Sequence, residues 1–485
     1  MRRLAPILHV LGLIVMVFGL SMLLPLLTSL ALGDDAQRAY DGALIITLGS
    51  GALMWLVSRP YYREMRARDG FLLVVLAWSI LPLFAALPLL FYIPGLSFTD
   101  AYFEAMSGLT ATGATVLSGL DDLPKSINLW RTQLHWIGGM GVIVLAVAIL
   151  PLLGIGGRQM YKAEVPTPMK DTKLTPRMTE TAKGLWLVYV LLTAACAIAY
   201  VLAGMQPLDA VIHAFSTLAL GGFAAYDASF AHFDSLAIET VTMVFALLAA
   251  MNFATHFLFL RNPSFAVYRR DAEIRIFLGV VLTSCVGLAL YLWGNDIYLD
   301  FPTALRYASF NTISLATSLG YANTDYNAWP YFAGLWMLFL GSFAACSGST
   351  GGGIKMMRAE LLYKQLYREL VKLLHPNAQV HTKLGDQVVP NKIIYAVLAF
   401  FFVYVASIVV FTLVLAATGL DIFTAFTAVC ATINNTGPGL GLVGPASNYA
   451  VLNDFQTWVC TLAMLMGRLE LFTLLVVLTP AFWRK

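Results

Sequence analysis

Charge is scarce in this sequence. Asp, Glu, Lys and Arg make up 12% of its 485 residues, against about a quarter in an ordinary globular domain, and that balance excludes a solvated soluble fold. Cysteine is rarer still: Cys196, Cys285, Cys346, Cys430 and Cys460 are odd in number, scattered and set in apolar surroundings. They offer neither a disulfide framework nor metal-ligand spacing, so they read as buried, inert thiols. His135, His213, His232 and His256 show no paired ligand spacing either. No nucleophile with a base beside it is legible. The one stretch that resembles a phosphate loop, SGSTGGGIK at 347–355, lacks the Gly-Lys-Ser/Thr ending of such a loop and follows an apolar run rather than a soluble strand. An enzyme is not expected, nor an organic cofactor, nor nucleic acid as a partner. A cleaved signal is not expected, because the first apolar run is too long and no small-residue cleavage site follows it.

What is present is apolar length. Hydrophobic residues form 59% of the chain, in runs long enough to cross about 30 Å of hydrocarbon. Ten spans are expected, at 4–32, 41–58, 71–94, 132–154, 184–204, 236–260, 276–294, 331–357, 392–418 and 455–480. Setting both termini in the cytoplasm puts the basic loops 59–70, 155–183, 261–275 and 358–391 there as well. Under that assignment 25 of the 30 Lys and Arg are cytoplasmic, the asymmetry of a bacterial inner-membrane protein. The exceptions are Arg38, Lys125, Arg131, Arg306 and Arg468.

Between certain spans lie stretches too short to cross and too apolar for ordinary loops. They are FTDAYFEAMSGLTATGATV (98–116), PLDAVIHAFSTLALGGFAAYD (207–227), FPTALRYASFNTISLATSLGYANTD (301–325) and LDIFTAFTAVCATINNTGPGLG (420–441). Each begins with Asp or Pro-Thr at a position suited to cap a helix and ends in Gly. Ala105 to Gly113 equals Ala214 to Gly222, and Ala308 to Gly320 equals Ala425 to Gly437, with the second pair longer by about one helical turn. The expected fold is therefore an all-α polytopic membrane protein. A two-span extension (1–58) precedes four units of span, re-entrant pore helix and span, at 71–154, 184–260, 276–375 and 391–485, arranged about a pseudo-four-fold axis.

A half-helix entering from outside aims its C-terminal carbonyls, with about half a negative charge, at the membrane centre. Irregular backbone at that depth must be buried or line a watery cavity. Four such segments would present rings of carbonyls able to replace the hydration shell of a monovalent cation. The residues before each glycine would supply them: Ala111 and Thr112 before Gly113, Leu220 and Gly221 before Gly222, Ser318 and Leu319 before Gly320, Asn435 and Thr436 before Gly437. The other reading is four re-entrant hairpins that only pack the fold.

The segments TATGA, ALGGF, TSLGY and NNTGP, with SGSTGGGIKM and the intramembrane arginine of MLMGRLELF, resemble the Trk/Ktr/HKT superfamily of potassium transporters over essentially the whole chain. The N-terminal extension is most similar to its bacterial TrkH branch. The resemblance implies a pseudo-tetrameric K+ pore in one chain, homodimer assembly, and a cytosolic TrkA-like ring that binds nucleotide (NAD, ATP or ADP) as regulatory partner. The segments depart from a uniform T-V-G-Y-G, so Rb+ should pass with K+ and discrimination against Na+ should be less strict than in a symmetric channel. A K+ symporter driven by H+ or Na+ is the alternative.

A mid-bilayer arginine costs about 2.5–3.5 kcal/mol on insertion scales, so Arg468 should face the interior or water. It is read either as projecting beneath the filter, where it repels cations or holds the glycine loop through carbonyls, or as a buried ion pair with Glu470 or Glu104. Glu104 and Arg306 are read as structural, behind the filter. External and membrane positions hold 17 of the 27 acids, including Asp121, Asp122, Asp227, Asp234 and Asp325, which either form a negative vestibule or are solvated loop charge. Residues 342–353 fall in the second span of the third unit. The glycines there disfavour helix by about 1 kcal/mol each, so Gly348, Ser349, Thr350, Gly351, Gly352 and Gly353 are expected to leave the helix as a gate, with Lys355 and Arg358 anchoring its cytoplasmic end. The amphipathic stretch 358–375 beyond it suits either a lipid surface or the cytosolic ring.

Overall fold

The computed structural model describes residues 4–61, 65, 67–141, 178–384 and 387–484. The second half of the expected span 132–154 and most of the loop 155–183 lie outside the described residues. The rest is helical apart from loops and a two-residue hairpin, Lys383–Leu384 with Gln387–Val388.

Six helices among the described residues are long and apolar enough to cross a bilayer: Ala5–Leu32, Gln37–Ser58, Arg68–Tyr92, Lys183–Leu202, Ala272–Gly294 and Asn391–Ala417. Their outer faces stay apolar, with Ile45, Leu282 and Phe402 exposed, as a lipid-facing surface requires. The first two form the N-terminal extension and cross through small residues, a Cβ on Gly12 lying 2.7 Å from the Gly51 carbonyl oxygen. Gln133 Nε2, donating to the Ser21 carbonyl at 2.6 Å, and the Tyr40 hydroxyl, donating to that of Ser126 at 2.9 Å, join this pair to the first repeat.

Three expected spans are not continuous helices. Residues 236–260 bend by 94° between Leu236–Ala250 and Phe253–Arg261, where Met251 is extended and the Asn252 side chain caps the second helix by accepting from Ala254 N. Residues 455–480 bend by 111° between Asp454–Arg468 and Phe472–Leu478, through Glu470 and Leu471, both left-handed at φ 52° and 57°. Residues 331–357 hold a 13-residue helix, Tyr331–Phe343, followed by a non-helical stretch to Lys355 and then the helix Met356–Leu374. In repeats 1, 3 and 4 the second helix meets the end of the half-helix so closely that no side chain fits between them. Added Cβ atoms on Gly138 and Gly467 would fall on the carbonyls of Leu109 and Ile433, and one on Gly341 would lie 2.7 Å from that of Leu315.

The half-helices are Phe98–Leu109, Pro207–Ala219, Phe301–Ala316 and Ile422–Ile433, numbered 1 to 4 below. Only the third is longer by a turn; the fourth, at 12 residues, matches the first, so the shared alanines of repeats 3 and 4 mark an earlier turn rather than a longer rod. The caps match expectation only in the fourth, at Asp421. Ser97, Asp300 and Asp421 cap half-helices 1, 3 and 4, while Asp100 and Asp209 sit in the first turn, where they complement the helix dipole. Hydrogen bonds from Thr424 hold the Asp421 carboxyl below its usual range, and those from Thr303 do the same for Asp300, because they favour the charged form.

Candidate ion pathway

Each half-helix ends in the same backbone figure. Ala111, Leu220, Ser318 and Asn435 are left-handed, at φ 50°, 53°, 63° and 52°, and the glycine two residues on is left-handed again, Gly113 at 84°, Gly222 at 89°, Gly320 at 84° and Gly437 at 94°. The amide between them reaches back five residues: Thr112 N to Ser107 O at 2.9 Å, Gly221 N to Ser216 O at 2.9 Å, Leu319 N to Ser314 O at 2.8 Å, Thr436 N to Ala431 O at 2.9 Å. That is the helix-terminating 6→1 bond whose left-handed residue is usually glycine. Here it is a side-chain-bearing residue, at a cost of about 1–2 kcal/mol each.

The four figures close into a ring. A Cβ on Gly113 would fall on the Gly221 carbonyl oxygen, one on Gly222 on that of Leu319, one on Gly320 on that of Thr436, and one on Gly437 would lie 2.7 Å from that of Thr112. The order 1, 2, 3, 4 and back to 1 follows the chain. All four glycines also line one cavity of about 570 Å3, counted to its opening, with Tyr226, Asn448 and Tyr449 at its wall. Asp227 lines it as well, but its carboxylate accepts from Gly119 N at 2.7 Å and Leu120 N at 3.1 Å. Asp234 pairs with Arg306, Asp121 accepts from Asp227 N and Asp325 from Asn327 N. These acids hold loops in shape.

The glycine stretch lies across the other side of the ring, touching repeats 2, 3 and 4 directly and repeat 1 through Arg468. Thr350 Oγ1 donates to Leu218 O of repeat 2 at 3.0 Å. Gly352 N donates to Ser318 Oγ of repeat 3 at 2.9 Å, and a Cβ on Gly352 would fall on Asn434 O of repeat 4. A Cβ on Gly351 would lie 2.9 Å from Thr317 O. Arg468 donates to Thr350 O at 3.1 Å and to the carbonyls of Gly138 and Gly139 of repeat 1. Gly348 and Gly353 are left-handed at φ 77°. Gly348 O accepts from Phe253 N, Ser349 Oγ donates to Cys346 O at 2.6 Å, and Lys355 Nζ donates to Gly351 O. Four of the five cysteines line up with none of this; Cys346 opens the loop, and all five are buried.

The carboxylates offered as partners for Arg468 are held by other arginines: Glu104 by Arg131 at 2.8 Å and Glu470 by Arg358 at 2.6 Å. Sequence reasoning missed Arg131, counted only as a topological exception. It also missed Glu273, whose Oε1 accepts from Ser347 N at 2.7 Å and Met357 N at 3.0 Å and so ties both ends of the loop together. The histidines are engaged in packing: His135 stacks on Phe223 beside Gly221, and His256 bonds Tyr268 and Leu248 O.

Arg306 is a structural joint between repeats 2 and 3. It grips Glu239 with two nitrogens, at 2.7 and 2.9 Å, and Glu239 is 1% exposed. Arg306→Met should destabilise the protein by about 3 kcal/mol, the low end for stranding a buried charge because solvent reaches the arginine. Thermal unfolding in detergent reads this, and adding Glu239→Met should restore most of the loss.

A family model for TrkH, described as cation transport protein, matches residues 37–485. The chain is 48% identical to the Trk system potassium uptake protein TrkH of Salmonella typhimurium, over 98% of this chain and 99% of that protein. It is 46% identical to the protein of the same name from Escherichia coli (strain K12), over the same shares. Among solved structures it resembles the crystal structure of the potassium transporter TrkH from Vibrio parahaemolyticus, with a TM-score of 0.88, 44% identity and 99% of each chain covered.

Proposed function

This chain belongs to the TrkH family of cation transport proteins, and from that premise we propose that it takes up potassium through the carbonyl ring at Gly113, Gly222, Gly320 and Gly437, under the control of the glycine loop beneath. It is a membrane transporter and not an enzyme. The observation that carries the reading is a single loop, from one repeat, that contacts repeats 2, 3 and 4 directly and repeat 1 through Arg468, below a closed ring of carbonyls. The ring supplies oxygens in place of water around K+ or Rb+. The loop and the Arg468 guanidinium obstruct and repel cations until the loop is drawn aside.

Sidedness follows the basic residues. With both termini in the cytoplasm, the cavity over the ring opens outward and 25 of the 30 Lys and Arg lie inside, which supports a bacterial inner-membrane location. The helix Met356–Leu374 then lies on the cytoplasmic face, with Tyr363, Leu366, Tyr367 and Leu370 exposed among Lys364, Arg368 and Lys372. We assign it to a homodimer's docking of a nucleotide-binding TrkA-like ring, with the lipid surface as the competing occupant.

Expression in bacteria lacking their own potassium uptake should restore growth at low external K+, and purified protein in vesicles should carry Rb+ at a rate insensitive to imposed pH and Na+ gradients. A rate that follows either gradient would make the chain a coupled symporter. Absence of Rb+ flux under every condition would sink the reading.

A further inference from the structure

One side chain of each half-helix reaches past its own filter glycine to the residue three beyond it. In repeat 1, Glu104 accepts from Val116 N at 3.1 Å and from Thr115 Oγ1 at 2.9 and 3.0 Å. In repeat 2, His213 Nε2 accepts from Ala225 N at 3.4 Å. In repeat 3, Asn311 Nδ2 donates to Asn323 Oδ1 at 2.7 Å. In repeat 4, Thr427 Oγ1 accepts from Leu440 N at 3.1 Å, and its one proton is shared between the Leu440 and Phe423 carbonyls, each at 3.0 Å. The first three stand nine residues before their glycine and the fourth stands ten before it. All four are at most 1% exposed. Carboxylate, imidazole, amide and hydroxyl share no chemistry beyond the ability to bond across this one gap, so it is the gap that the four repeats have in common.

The gap matters because it is the chord between a rigid half-helix and the extended strand whose carbonyls form the ring. Fixing it fixes how far each strand can move toward the axis. In repeat 1 the chord is tied to its neighbour: Arg131 holds Glu104 through Nε at 2.9 Å and donates through Nη1 to Ala224 O of repeat 2 at 3.1 Å. Each added Cβ on a ring glycine already meets the next repeat's carbonyl, so one strand moving inward displaces its neighbour.

Building on the reading of the ring as a potassium pathway, we propose that Glu104, His213, Asn311 and Thr427 are positioning residues that set the radius of the carbonyl ring and thereby its discrimination between K+ and Na+. They touch no ion. A ring held open coordinates K+ and Rb+, and a ring free to contract closes on the smaller Na+. Four unlike braces give four unlike stiffnesses, and the ring has a soft side at His213, whose bond is the longest of the set.

Thr427 offers the cleanest test, because valine keeps its shape and removes both bonds, whereas serine keeps the hydroxyl and loses a methyl. Full-length protein reconstituted in vesicles is assayed for Rb+ and Na+ uptake against wild type. Thr427→Val should lower the Rb+:Na+ flux ratio by about five- to tenfold, the worth of about one neutral hydrogen bond, while Rb+ still passes; Thr427→Ser should keep the wild-type ratio. A ratio that falls in serine and holds in valine would make the position a packing site and overturn the proposal, as would parallel loss of both fluxes in folded protein. Should valine yield no monodisperse protein, Asn323→Ala, which removes the acceptor from the strand side of repeat 3, decides by the same ratio. A wild type without Rb+ flux would instead bring down the potassium reading itself.

Discussion

Gly320→Ser should abolish uptake, by at least about a hundredfold in Rb+ flux, without unfolding the bundle. Gly320 is left-handed at φ 84°, which a serine adopts at a cost of about 1–2 kcal/mol. Steric contact costs more than that. Its Cβ would fall on the Thr436 carbonyl oxygen and 3.1 Å from Pro438 Cδ, and neither a backbone oxygen nor a proline ring can swing away as a flexible side chain would. The strand of repeat 4 must move, and since a Cβ on Gly437 would itself meet Thr112 O, the shift passes on to repeat 1. Strain of about 3 kcal/mol at such a site corresponds to roughly a hundredfold in an occupancy or a rate. Gly113→Ser should behave alike, because its Cβ would fall on Gly221 O. Gly279→Ser and Gly287→Ser, on the approach helix of repeat 3 with nothing within 4 Å of the added atom, serve as controls and should leave flux unchanged. Retained uptake in Gly320→Ser would remove the ring from the ion's path.

The half-helices and their glycines could be read from the chain because the repeat prints itself: apolar stretches too short to cross, each closed by a residue only a left-handed turn explains. Of the breaks in the second helices, the glycine stretch of repeat 3 could be read as well, and those at Met251 and Glu470 could not. Met251, Leu469 and Leu471 keep hydropathy high through the bends, and left-handed Glu470 and Leu471 carry no glycine to announce them. The ties around the loop were hidden for another reason. Glu273 lies at a span edge, where an acid reads as loop charge, and the amides it binds belong to residues 74 and 84 positions away. The braces share a place and no residue type, so no motif marks them. Arg468 was legible as an expensive charge, but its partners are carbonyls, which every residue has.

Removing Gly348–Gly353 should leave a protein that conducts whether or not a cytosolic partner is present. Glu273 Oε1 receives both Ser347 N and Met357 N, so the stumps are already neighbours and can rejoin without dragging the flanking helices. What disappears is every contact from the loop to the ring: Thr350 on Leu218 O, Gly352 on Ser318 and the Thr350 carbonyl on Arg468. Arg468→Ala removes part of this set and should act in the same direction to a smaller extent. A hydrogen bond from a charged donor contributes about 1.5–3 kcal/mol, so losing its grip on Thr350 O shifts closed toward open by roughly ten- to a hundredfold. The route from the cytoplasmic helix to that arginine is short. Met356–Leu374 begins beside Arg358, whose guanidinium holds Glu470 at 2.6 Å and lies 4.2 Å from the Phe400 ring centroid, and Glu470 stands two residues beyond Arg468 on a left-handed elbow. A displacement of that helix therefore bears on the elbow and on the loop's own root together. Arg358→Gln cuts the first of these lines and leaves the second. With the partner ring present, it should weaken the response to nucleotide while basal Rb+ flux stays below that of the deletion. A deletion variant that folds normally and carries no Rb+ would show that the loop is needed to build the pathway instead of to close it.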